Sequence, residues 1–161
     1  MKREILDIIE KLNNKSELIN SAKDYNIVTK IIKSEFAEKG NELGLCTAAH
    51  GYGEGEWLFD LVWYKMDEKD DQIMTDIPLV LETELSKKDY GGLKEDFDKL
   101  LVATSSTKVF VTTMEEIEIK KKYIQKAINS FTKFRNEETL YLIIWDESDE
   151  GNFILEEFNR K

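Results

Sequence analysis

The sequence predicts an α/β fold in which a mixed central sheet is flanked by helices. Apolar runs typical of strands alternate along the chain with stretches of helical periodicity, and this alternation favours helices packed on a sheet. The 161 residues are 41% hydrophobic and 35% charged, which suffices for one sizeable core and hardly for two. We therefore expect a single domain over residues 1–161, with an α-β-β-β-α-β core, an additional N-terminal helix and a C-terminal β-hairpin.

The N-terminal part predicts two amphipathic helices. Over residues 2–13, four apolar side chains recur at helical spacing until Asn13-Asn14 interrupts the pattern. A second helix is predicted over residues 22–39, with Gly40 as its stop and Glu35 near the middle of its apolar stripe. The apolar positions are Ile5, Ile8, Ile9 and Leu12 in the first helix, and Ile27, Val28, Ile31, Ile32 and Phe36 in the second.

A hairpin and a third strand are predicted next. The hairpin consists of strands over residues 45–50 and 56–64, joined by a glycine-rich turn over residues 51–55. An acidic loop then leads to a strand over residues 77–85, in which Pro78 is tolerated only at the start. This third strand is apolar on both faces, which is typical of a sheet covered by helices on both sides.

The second half of the chain predicts a helix, a strand, a helix and a final hairpin. Gly91-Gly92 is expected to break the chain before the first of these helices. The second helix has an acidic first turn and ends at Lys133 and Arg135, in agreement with the helix dipole. The predicted bounds are 93–105 and 115–135 for the helices, and 108–113, 139–146 and 152–158 for the strands.

Composition limits the classes of function. Cys46 is the only cysteine, which excludes an internal disulfide and a cysteine-rich zinc site and indicates a reducing, cytoplasmic location. The N-terminus lacks the apolar core of a signal peptide, and no apolar run approaches the ~20 residues that cross a bilayer. A formal net charge of -10 counts against a nonspecific DNA binder, although bound cations and lysine patches at 86–88 and 120–122 can offset it.

Three carboxylates interrupt the apolar strands. Asp60 lies within the second strand of the hairpin, and Glu82 and Glu84 share one face of the third strand. An unpaired buried charge is costly, so these acids need a partner. If the two strands pair, Asp60 faces both glutamates, and Mg²⁺ or Mn²⁺ bound by Asp60, Glu82 and the Thr83 carbonyl would satisfy them. Such an ion activates a bound water, which Glu84 would hold or deprotonate.

One residue and three short segments resemble a known family. They are, in chain order, Asp60, Glu82-Thr83-Glu84, Lys94-Glu95-Asp96-Phe97-Asp98-Lys99-Leu100-Leu101 and Lys108-Val109-Phe110-Val111. In this order they resemble the PD-(D/E)XK, or restriction-endonuclease-like, superfamily. Its α-β-β-β-α-β core is matched in order by residues 22–113. The resemblance implies Mg²⁺-dependent cleavage of phosphodiester bonds, of DNA rather than RNA, with Asp60 and Glu82 as metal ligands.

The resemblance also implies roles for three further residues. A glutamate of the upstream helix often joins the site in this family, and Glu35 matches it. The position that is usually lysine is Glu84 here; some restriction enzymes carry glutamate there, and other members without the lysine are inactive. In some branches the lysine moves to the following helix, where Lys99 stands. Many members act as dimers, so a homodimer or another protein partner is compatible with the resemblance, although no residue identifies an interface.

Each of these candidate site residues also has a plainer, structural interpretation. The three acids are then surface residues on an open strand face, and Glu35 is paired with a lysine. Lys99 is then a solvated lysine near Asp96, which is the interpretation favoured for it. Trp57, like the other two tryptophans, is predicted to belong to the core. The alternative function is a catalytically inactive domain of the same fold, which acts as an acidic regulatory or neutralising protein-binding partner.

Overall fold

The chain folds, as predicted, into a mixed α/β structure in which one sheet lies between two layers of helices. The computed structural model describes residues 1–15, 18, 24–49, 51–53, 55, 57–86, 90–147 and 152–161. The helices are α1 (Lys2–Asn13), α2 (Tyr25–Glu42), α3 (Tyr90–Val102) and α4 (Ile117–Ser130). The strands are β1 (Cys46–Ala49), β2 (Tyr52–Gly53), β3 (Leu61–Met66), β4 (Met74–Glu84), β5 (Thr107–Thr113), β6 (Thr139–Asp146) and β7 (Asn152–Phe158).

The sheet has the strand order β2-β1-β3-β4-β5-β6-β7 within the described residues. Strands β4, β5 and β6 are parallel, and the other neighbours pair antiparallel. The predicted α-β-β-β-α-β order is confirmed from α2 to β5, with the two-residue β2 as an additional element. Because the carboxyl ends of parallel strands share one edge of a sheet, β4, β5 and β6 end together at Glu84, Thr113 and Asp146. We call this the carboxyl edge.

The sheet separates two hydrophobic cores. Helices α1 and α2 cover one face, and α3 and α4 cover the other. Strand β4 contributes Leu79 and Leu81 to the first core and Val80 to the second, so the prediction that this strand is apolar on both faces is confirmed. The predicted bounds of α1, β6 and β7 are also confirmed to the residue.

Helix α2 begins and ends later than predicted. It begins after Asp24, whose carboxylate accepts hydrogen bonds from two backbone N–H groups of the first turn. Gly40 does not stop the helix but lies inside it, where a Cβ would come within 2.6 Å of Trp63 Nε1. The same Nε1 donates a hydrogen bond of 2.9 Å to the Phe36 carbonyl. Glycine is therefore required here for the close approach of α2 to the sheet.

Helix α3 begins at Tyr90, so Gly91 and Gly92 lie in its first turn. The prediction that these glycines break the chain was wrong, and the helix also ends earlier than predicted, at Val102. None of the helices in the described part of the chain is long and apolar enough to cross a membrane.

Helix α4 is shorter at both ends than the predicted 115–135. Glu116, just before it, adopts a left-handed conformation with φ 51°, which separates the acidic segment from the helix. Beyond its last residue the chain turns back so that Phe134 is fully buried in the second core. Lys133 and Arg135 therefore do not end the helix, so the predicted basic end was wrong, whereas the first turn is acidic as predicted, through Glu118.

The strand predicted over residues 56–64 is observed as β3, which starts only at Leu61. Trp57 and Leu58 precede it and are 42% and 66% exposed. The prediction that Trp57 belongs to the core was therefore wrong, whereas Trp63 and Trp145 are fully buried, as predicted.

The remaining parts of the hairpin differ little from prediction. Strand β1 lies inside the predicted 45–50, and β2 lies inside the segment predicted as a turn, where it pairs with β1. Residues 50, 54 and 56 fall outside the described residues.

Strand β4 begins at Met74, and Pro78 lies within it instead of at its start. The register with β3 shifts between Trp63 and Lys65, opposite this proline. Pairing with β5 begins only at Leu79. Proline lacks an N–H group, and it is tolerated here because neither neighbouring strand pairs with it.

A buried ion pair lies at the opposite end of β5 from the carboxyl edge. Lys108 is fully buried, and its Nζ donates a hydrogen bond of 2.8 Å to Glu138 Oε2. The ammonium also donates to the carbonyls of Ala103 (3.0 Å) and Ser105 (2.7 Å). Arg135 Nε donates to the second oxygen of Glu138 at 2.6 Å. Burial lowers the pKa of Lys108, and the bond to Glu138 opposes that shift.

Candidate functional site

Asp60 and Glu82 lie near the carboxyl edge, where β3 begins and β4 ends. The antiparallel ladder ends at this edge with the pair Leu61–Leu81, and Asp60 lies in the bend just before β3. The prediction that Asp60 lies within the strand was therefore wrong, although the residue stays close to the end of β4. Glu82 is buried and Asp60 is partly buried. Both acids also act on the ammonium of Lys99, whose pKa they raise. Both carboxylates therefore lie within electrostatic range of the same ammonium.

The Asp60 carboxylate is held by the strand opposite it. Its Oδ2 accepts hydrogen bonds from Thr83 N (2.8 Å) and Thr83 Oγ1 (2.6 Å). These bonds fix the carboxylate relative to β4 and leave Oδ1 directed toward Lys33. Thr83 was expected to supply a carbonyl ligand; besides these two donated bonds it pairs with Val111 of β5 in the sheet, and its role as a ligand stays a prediction.

Lys99 of α3 approaches Glu82 from the face of the sheet that α3 and α4 cover. Its Nζ lies 2.8 Å from Asp96 Oδ1 and 3.7 Å from Glu82 Oε1. The hydrogen bond to Asp96 raises its pKa most, partial burial opposes this, and the charges of Glu82 and Asp60 raise it further. The side chain is therefore a cation at neutral pH. The contact with Asp96 matches the plainer interpretation, and the approach to Glu82 is what the functional hypothesis requires.

Glu84 lies two residues beyond Glu82 on the same face of β4. Its Oε1 accepts hydrogen bonds from Ser86 N (2.9 Å) and from Ser86 Oγ. Among the described residues, no three Asp, Glu, His or Cys side chains form a group that could hold a metal ion. The three carboxylates therefore do not form one ligand cluster in this structure, and the predicted ligand set of Asp60, Glu82 and the Thr83 carbonyl stays a prediction.

A site with two carboxylates still fits the chemistry of Mg²⁺. This ion is commonly bound through one or two carboxylates, with water and substrate phosphate in the other positions. Asp60 Oδ1 and Glu82 Oε1 each face an ammonium nitrogen at 3.7 Å, a distance longer than a hydrogen bond. Both oxygens belong to hard, anionic donors at the partly open edge of the sheet, as such an ion requires.

Sequence reasoning missed Lys33. This buried residue of α2 approaches Asp60 from the first helical layer, with its Nζ 3.7 Å from Oδ1. Two lysines from opposite faces of the sheet thus flank the two carboxylates. The signal in the sequence was a lysine between the apolar positions Ile32 and Phe36, close in the chain to Glu35.

Glu35 points elsewhere. It is buried, and its Oε1 lies 2.6 Å from Lys15 Nζ. Both residues line a cleft of about 600 Å³ between α1 and α2. The contact described for Glu35 is therefore the lysine pairing of the plainer interpretation, and Lys33 is the α2 residue that reaches Asp60.

In the lysine patch at 120–122, two of the three lysines are engaged by neighbouring groups. Residues 87 and 88 of the other patch lie outside the described residues. Lys120 is turned toward the Thr112 hydroxyl (3.0 Å) and the Thr113 carbonyl (3.2 Å), and burial lowers its pKa. Lys121 is paired with Glu156. Lys120 and Lys121 are therefore poorly placed to attract phosphate, whereas Lys122 is exposed.

Comparisons with protein-family models, with curated proteins and with solved structures found no match for the chain. The resemblance to PD-(D/E)XK nucleases therefore rests on the order of the sequence segments and on the positions of Asp60, Glu82 and Lys99.

Proposed function

We propose that the protein is a Mg²⁺-dependent nuclease that hydrolyses phosphodiester bonds of DNA, with a site of the PD-(D/E)XK type. The observation that carries the proposal is that Asp60, bonded to Thr83, and the neighbouring Glu82 meet at the carboxyl edge, with the Lys99 ammonium 3.7 Å from Glu82 Oε1. Two acids and a lysine in this arrangement supply the metal ligands and the fixed positive charge that such hydrolysis needs. A cytoplasmic location, expected from the single cysteine, is part of the proposal.

Asp60 and Glu82 would hold Mg²⁺ or Mn²⁺ in this site. When bound, the ion lowers the pKa of a water ligand and neutralises charge that develops on the phosphate. Thr83 keeps Asp60 in position through its two hydrogen bonds. Metal-binding carboxylates commonly depend on such support.

Lys99 acts as a cation, because its raised pKa keeps the proton on Nζ at neutral pH. It stabilises negative charge on the phosphate beside Glu82 and replaces the lysine that is absent at position 84. Lys33 supplies a second positive charge on the other side of Asp60. Glu84, oriented by Ser86, holds the attacking water. Glu35 has no part in the reaction.

The proposal predicts that purified protein cuts supercoiled plasmid or single-stranded DNA in Mg²⁺ or Mn²⁺ and not in EDTA. Asp60→Asn and Glu82→Gln should each abolish cutting, because each removes an anionic ligand while keeping the side-chain shape. Glu68→Gln, a change at an exposed acid of the loop between β3 and β4, is the matched control and should cut like the wild type. Cutting is followed by gel electrophoresis at fixed protein concentration.

Two outcomes contradict the enzyme. One is cutting that survives in both site variants, and this points to a contaminating nuclease. The other is no cutting together with no heat of Mn²⁺ binding in calorimetry. That result favours the inactive protein-binding domain, for which the net charge of -10 suits a basic partner.

A further inference from the structure

Trp57 is exposed beside the candidate site, whereas the two other tryptophans are fully buried. It lies three residues before Asp60, in the segment that precedes β3. Because three residues span at most roughly 10 Å, the backbone of Trp57 lies within that distance of Asp60, close enough for one DNA strand to reach both residues. The next residue, Leu58, is also exposed, so the chain presents two adjacent large apolar side chains to solvent at this point.

The indole of Trp57 packs against the ring of Tyr64. Its ring centroid lies 4.8 Å from that of Tyr64, at an angle of 34° between the planes. Tyr64 is buried in the second core, which is the core covered by α3. Trp57 is therefore held on the side of the sheet from which Lys99 approaches Glu82. A ring that is fixed on one side and open to solvent is suited to stacking.

We propose that Trp57 stacks on an unpaired base of the DNA strand whose phosphate occupies the Asp60–Glu82 site. This inference rests on the proposed function and narrows its substrate to single-stranded DNA, because a base inside a duplex has no free face to offer. Stacking on aromatic side chains accepts any base, so it gives affinity without sequence preference. Stacking also adds affinity for the strand that phosphate contacts supply poorly here, because a net charge of -10 weakens the attraction of the protein to phosphate.

Intrinsic fluorescence tests the inference directly, because Trp63 and Trp145 are fully buried and a base can reach only Trp57 among the three tryptophans. Single-stranded oligothymidylate, titrated with Ca²⁺ in place of Mg²⁺, should quench the emission, and a blunt duplex of equal length should not. Trp57→Ala should weaken binding of the single strand about 5- to 150-fold. Trp57→Phe should recover part of the loss.

Ile73→Ala provides the control, because Ile73 is an exposed apolar residue of the loop between β3 and β4. It should bind like the wild type, and circular dichroism should show that Trp57→Ala and Trp57→Phe remain folded at the temperature of the assay. Equal affinity of wild type and Trp57→Ala for the single strand overturns the inference. So does equal quenching by the duplex.

The outcomes separate this inference from the proposed nuclease. If the wild type cuts DNA and Trp57→Ala cuts with unchanged KM, the nuclease stands and the stacking role is wrong. If the single strand binds in a Trp57-dependent manner but is never cut, the stacking role stands and the nuclease is wrong. If the wild type neither binds nor cuts single-stranded DNA, both are wrong.

Discussion

Replacement of Glu138 by alanine is expected to lower the free energy of unfolding by about 3–5 kcal/mol, because it leaves a buried charge without its counter-ion. Lys108 is fully buried and donates to Glu138 at 2.8 Å. After the replacement only backbone carbonyls remain as acceptors for the ammonium. Burial already lowers the pKa of Lys108, and loss of the carboxylate removes the contact that opposes this shift.

Urea unfolding followed by circular dichroism measures the effect. Glu137→Ala, at an exposed neighbour, is the control and should change stability by no more than about 0.5 kcal/mol. The double variant Lys108→Met/Glu138→Leu should recover most of the lost stability, because apolar residues of similar volume often replace a buried ion pair without loss. A loss below about 1 kcal/mol in Glu138→Ala would show that the pair is not buried as described.

Replacement of Lys99 by methionine is expected to lower kcat about 100- to 1000-fold, the usual effect of removing one group that stabilises transition-state charge. The ammonium lies 3.7 Å from Glu82 Oε1, where the phosphate would be attacked. Lys99→Arg keeps the charge and should retain more activity than Lys99→Met. The measurement is the initial rate of cleavage of a labelled oligonucleotide over a range of substrate concentrations with Mg²⁺.

Lys94→Met is the matched control, because Lys94 lies on the same helix and pairs with Asp98 away from the carboxylates. It should leave kcat unchanged. The raised pKa of Lys99 adds a pH test: the side chain is protonated at all pH values well below its ordinary 10.5, so no loss of activity between pH 7 and 9 should come from it. Wild-type kcat in Lys99→Met would remove this residue from the mechanism.

The elements that the sequence predicted best are those whose boundaries depend on local pattern. Helix α1 and strands β6 and β7 follow from apolar periodicity and from polar breaks on either side. The glycines were misjudged because their role depends on distant contacts: Gly40 continues its helix so that Trp63 can approach. Periodicity likewise could not reveal that β3 starts late, which leaves Trp57 outside the core.

The candidate site was predictable only in part. The proximity of Asp60 to the end of β4 follows from the pairing of β3 with β4, which the apolar patterns indicate. The partners of the other charged groups depend on which helix covers each strand end, and sequence spacing does not specify this. Thus Glu35 turned out to pair with Lys15, and Lys33 reaches Asp60 in its place.

The most direct test of a shared metal site at Asp60 and Glu82 is a crystal structure with Mn²⁺, in which anomalous scattering locates the ion. We expect one strong peak within coordination distance of oxygens from both carboxylates, ~2.1 Å for an ion of the Mg²⁺ type. The peak should disappear in Glu82→Gln. A peak that contacts neither carboxylate, or no peak at a saturating Mn²⁺ concentration, would contradict the metal site and with it the proposed hydrolysis.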